Sequence, residues 1–113
     1  MDMKLGPDYY PGDFTQTAEF PYVLPGTKGT NNCLAPQYAN VSAIADIPVK
    51  PPILWFHGDS DTLVSDNSFS DLAVLGKMGI VPGYPGEDKM PPQPMVSQTR
   101  YVFEQYKTNG GKY

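Results

Sequence analysis

Residues 53–56, Ile-Leu-Trp-Phe, place large apolar side chains in an unbroken row, led in by Pro51 and Pro52 and closed by His57 and Gly58. Proline biases the residue before it toward extended backbone, and branched and aromatic side chains suit a pleated surface. A strand with one wet face alternates apolar and polar residues. This run does not alternate, so both of its faces are expected to be covered, as in an interior strand of a parallel sheet. Such a strand needs neighbours on both edges and a layer on each face. The chain shows no internal repeat that would supply a neighbour.

The rest of the chain offers little sheet. Thirteen prolines and eleven glycines interrupt 113 residues, so much of it is loop and any single core is thin. Two parts are expected: an irregular, aromatic-rich cap segment over 1–50, and a strand, acid loop and helices over 51–113. Within the first, "DFTQTAEF" allows a helical turn or two capped by Asp13 or Thr15, and Pro36–Ala45 allows a short helix. Turn signals at Pro7, Pro11, Gly12, Pro21, Pro25, Gly26 and Gly29 break up the remainder. Tyr9, Tyr10, Phe14, Phe20 and Tyr22 crowd this stretch, where they either line an acyl pocket or pack a segment without regular structure.

In the second part, Asn67-Ser68 is expected to start a helix running to about Leu75, with Gly76 near its stop. A turn-rich loop, "MGIVPGYPGEDKMPPQP", leads to the clearest helix, Pro94 to about Asn109. Met95, Thr99, Val102 and Tyr106 recur at helical spacing, Val96 and Phe103 widen the same face, and Gly110-Gly111 ends it. A second strand ought to follow that helix. The chain therefore reads as the end of a strand–loop–helix series whose partners lie in further polypeptide.

Charge and cysteine content narrow the partners. The net charge is −4 and no basic cluster exists, which argues against nucleic acid. No apolar run reaches the roughly 18–20 residues of a membrane span. "MDMKLGPDYY" lacks the apolar core of a secretory signal, so the cytoplasm is the expected compartment. Cys33 is the only cysteine and His57 the only histidine. They allow neither an internal disulfide nor a zinc site built from several such ligands.

Chemistry in open parallel sheets gathers beyond the carboxyl ends of strands, and there the chain places Asp59, Asp61 and Asp66. The stretch "LWFHGDSDTLVSD" resembles the segment of α/β-hydrolases that carries the acid of a Ser-His-Asp triad. Gly58, Asp61 and Val64 match that family's apolar run–x–G–x–x–D–x–x–V in register, and the aromatic cap and long helix resemble it in architecture. The resemblance implies a partial α/β-hydrolase fold and hydrolysis of a carboxylic ester or similar acyl bond, with no cofactor. Asp61 would orient the imidazole of the triad. The cap aromatics Tyr9, Tyr10, Phe14, Phe20 and Tyr22 would favour an apolar or aromatic acyl group. Neither G-x-S-x-G nor a second histidine occurs, so of the triad only Asp61 carries over. The isolated chain is expected to be inactive, and to associate either with the remainder of the hydrolase or with itself.

Other readings compete. "GDSDT" is a degenerate nucleophile elbow around Ser60, with Thr62 where a glycine is needed. "ILWFHGDSDTLV" also approaches the D-x-D motif of haloacid-dehalogenase-type phosphatases, with Asp59 as nucleophile and Mg²⁺ nearby. A non-enzymatic module binding a partner through its aromatic loops is a third. Asp59 and Asp66 equally suit helix capping or a solvated turn. His57 suits packing or hydrogen bonding beside the loop.

Overall fold

The longest element forms where the apolar spacing puts one. The computed structural model describes Ala18, Glu19 and residues 41–113. It contains a 3-10 turn, Ser42–Asp46, a short helix, Leu72–Lys77 (α1), and a long one, Met95–Thr108 (α2). The aromatics Tyr9, Tyr10, Phe14, Phe20 and Tyr22 lie outside the described residues. So do Cys33, all of "DFTQTAEF" but Ala18 and Glu19, and residues 36–40 of the stretch read as a helix from Pro36. Among the described residues no helix is long and apolar enough to cross a membrane.

Helix α2 buries Val102 and Tyr106 against Ala45 of the 3-10 turn, with Ile44, Ile47 and Ile53 packed around them. The Tyr106 hydroxyl donates to the Pro51 carbonyl, so the residue that anchors the helix also fixes the start of the apolar run. The helix stops at Gly110, whose φ of 94° only glycine adopts without strain. There the Gly111 N–H reaches the Tyr106 carbonyl at 2.9 Å and the Gly110 N–H reaches that of Lys107 at 3.0 Å, a Schellman closure.

Helix α1 starts later than the sequence suggests. Asp71 caps it, its side chain accepting from the Ala73 N–H at 2.8 Å. Gly76 does not end it. That glycine is buried inside the helix with the Tyr84 ring against it, where an added Cβ would lie 2.7 Å from ring carbons. The stop is Gly79, at φ 76°, which allows Ile80 to donate to the Leu75 carbonyl at 2.9 Å. Ala73 and Met90 form a second small core with Leu72, Val81 and Tyr84.

The expected α/β architecture is overturned: among the described residues there is no strand and no sheet. Among the described residues the run 53–56 carries one sheet-like bond, Ile53 N–H to the Lys112 carbonyl at 2.9 Å, and nothing pairs with its neighbours. Its burial alternates. Ile53, Trp55 and His57 are half-buried, while Leu54 and Phe56 are 86% and 85% exposed. The physical reason is that a sheet is a property of several segments. With α2 and its flanks covering one side and no described segment pairing along the edges, the run stands single among the described residues, and Leu54 and Phe56 stay exposed. Covering Leu54 and Phe56 would contribute about 1.5–3 kcal/mol each, which the described residues do not collect.

Candidate active-site loop

The loop from His57 to Asp71 is held by its own polar groups. After Gly58 the chain turns, the Asp61 N–H donating to the Gly58 carbonyl at 3.3 Å. Asp61 then folds its carboxylate onto the following backbone. Oδ1 accepts from Leu63 N–H at 2.8 Å and Val64 N–H at 2.9 Å. Further on, Phe69 N–H donates to the Thr62 carbonyl at 2.9 Å. The fully buried Ser68 hydroxyl donates to the carbonyl of Leu63. The serine that the sequence offers as a helix start is thus engaged inside the loop instead.

The three aspartates differ in what they have left to offer. Asp59 is exposed and, among the described residues, accepts only from the adjacent Ser60 hydroxyl, at 3.2 Å. Asp66 is engaged at both oxygens. Oδ1 accepts from Ser97 N–H at 2.8 Å and Oδ2 from Ser97 Oγ at 2.5 Å. It therefore caps the first turn of α2 rather than a helix beginning beside it, and it sews the loop to that helix across thirty-one positions. Asp61 is exposed, gripped at one oxygen, and its other oxygen has no hydrogen-bond partner among the described residues. The Val64 and Leu63 N–H groups, with His57 nearby, hold its carboxyl below the ordinary aspartate range against a small opposing effect of burial.

His57 does not face Ser60 as a base. Its Nε2 lies 2.6 Å from the Val64 carbonyl, and no hydrogen bond joins it to Ser60 among the described residues. Its ring sits 6.4 Å from Trp55, whose indole meets Phe103 of α2 edge-on at 5.6 Å and lies under Arg100 at 5.3 Å. No cluster of three or more His, Cys, Asp or Glu side chains suited to a metal gathers among the described residues. The locking serine, Ser68, and the long-range cap at Asp66 are the parts of the loop that sequence reading misses. No local pattern announces either, because their partners are chosen by the fold. Compared with the profiles of known protein families, with curated proteins and with solved structures, the chain matches none.

Proposed function

We propose that this chain supplies the acid of a serine hydrolase acting on carboxylic esters or similar acyl bonds. In this reading Asp61 orients an imidazole contributed, with the nucleophilic serine, by polypeptide beyond these residues. The observation that carries the proposal is the asymmetry of the exposed Asp61 carboxylate: one oxygen fixed by two backbone N–H groups, the other without a hydrogen-bond partner among the described residues. A triad acid needs both properties. It must stay ionised and fixed, and it must keep one oxygen for the N–H of the base, whose tautomer it selects and whose imidazolium it stabilises. Asp66 keeps neither oxygen free, and no backbone N–H holds the Asp59 carboxylate among the described residues.

The chemistry is nucleophilic. The serine attacks the acyl carbon, the base takes its proton, and the alcohol leaves as the base returns the proton. Water then releases the acyl group by the same route. Leu54 and Phe56, exposed beside this loop in sequence, supply apolar surface for the remainder of such an enzyme to cover.

The test is to express the uninterrupted reading frame that contains these residues, treat it with a fluorophosphonate, and locate the adduct by mass spectrometry. The proposal expects a labelled serine outside residues 1–113. A label on Ser60, or no label on any serine, overturns it.

A further inference from the structure

The loop around Asp61 is closed by a side chain to which the proposed chemistry assigns no part. His57 Nε2 lies 2.6 Å from the Val64 carbonyl oxygen. A carbonyl only accepts, so Nε2 carries a proton and donates it. Val64 in turn donates its N–H to Asp61 Oδ1 at 2.9 Å. One residue is thus held through its carbonyl by the imidazole, and through its amide it holds the carboxylate. The ring is itself braced, since Trp55 stands beside it and Phe103 of α2 packs edge-on against Trp55. A continuous set of contacts leads from the long helix through two aromatic rings and the imidazole to the acid.

We infer that His57 is a positioning residue for Asp61. By pinning residue 64 it fixes the direction in which the second carboxylate oxygen points. It acts through its Nε2 proton as a donor, and not as the base of a reaction. The catalytic consequence rests on the reading of Asp61 as a triad acid; the loop geometry does not. A carboxylate displaced by about 1 Å costs on the order of 100-fold in rate, because the base it orients leaves its productive position. Glutamine at position 57 carries its own Nε2 donor and can span a similar reach, whereas leucine fills comparable space without a donor.

The experiment compares His57→Gln and His57→Leu in the polypeptide of the full reading frame. Esterase kinetics on a p-nitrophenyl acyl ester are measured together with amide hydrogen exchange at Leu63 and Val64. The inference expects His57→Leu to lower kcat by about 100-fold with KM within about twofold, and to speed exchange at Val64. His57→Gln is expected to restore most of both. Unchanged Val64 exchange in His57→Leu overturns the positioning role whatever Asp61 does, as does a glutamine variant damaged as badly as the leucine one. An Asp61→Asn variant with undiminished esterase activity overturns the hydrolase reading instead, whatever residue 57 does.

Discussion

Replacing Asp66 with alanine removes a tie between the acid loop and α2, and its effect can be worked from two bonds. Ser97 sits in the first turn of the helix, where backbone N–H groups have no partner within the helix. Asp66 satisfies one of them at 2.8 Å and takes the Ser97 hydroxyl at 2.5 Å. Loss of a cap of this kind costs about 0.5–2 kcal/mol. The site is largely open to water, so screening places the value toward the lower half, about 1 kcal/mol. That corresponds to roughly a fivefold rise in the population with an open first turn. Hydrogen exchange at the Ser97 and Gln98 amides should therefore accelerate about fivefold in Asp66→Ala, with little change near Gly110. The dependence on pH has a definite sign. Burial favours the protonated form of Asp66, but the hydrogen bonds from Ser97 and Val96 and the Arg100 charge outweigh it and hold the carboxyl below its ordinary range. A depressed folded pKa means that the contribution is complete above the unfolded value of about 3.9 and is lost as pH falls through the folded one. The difference between wild type and variant should be full at neutral pH and vanish in strong acid. Equal exchange rates at neutral pH would refute the capping argument.

Other expectations follow from the packing. Tyr106→Phe loses the hydrogen bond to Pro51 and should lower stability by about 1 kcal/mol, read from the urea midpoint of Trp55 fluorescence. Gly111→Ala would set a Cβ 2.1 Å from the Tyr106 ring, and should cost about 1–3 kcal/mol in the same assay. At dilutions where the chain is monomeric, lysine at both 54 and 56 should change the unfolding free energy in the same assay by no more than about 0.5 kcal/mol, since both side chains are then already in water. It should also raise the monomer fraction of the isolated chain in sedimentation, because the exposed apolar face would no longer drive association. The isolated chain should hydrolyse no ester above background, and measurable turnover by residues 1–113 would contradict the division of the triad proposed above.

What the sequence discloses and what it withholds divide along a physical line. Helix α2 is legible because its cause is local: apolar residues at helical spacing and a glycine pair at the end. Helix α1 is legible in place but not in detail. Gly76 reads as a stop, yet it is a buried contact for Tyr84, eight residues away, and the stop passes to Gly79. The unbroken apolar run 53–56 suggests an interior strand, and here inference from one segment fails. A side chain's preference for burial does not create the partner that would bury it, and Leu54 and Phe56 remain exposed. In the loop, Asp61 stands out by its spacing from Gly58 and Val64. The distinction between Asp61 and Asp66 does not, because it depends on Ser97, which only the fold brings near.

The central claim is most directly tested by one pair of variants in the polypeptide of the full reading frame, Asp61→Asn and Asp59→Asn, assayed for kcat/KM on the same acyl ester. Asparagine keeps the size of the side chain but neither the charge nor the selection of tautomer in the base. The account predicts a loss on the order of 10⁴-fold for Asp61→Asn and a change of less than about threefold for Asp59→Asn. Equal effects at the two positions, or an Asp61→Asn enzyme as fast as the wild type, would contradict it.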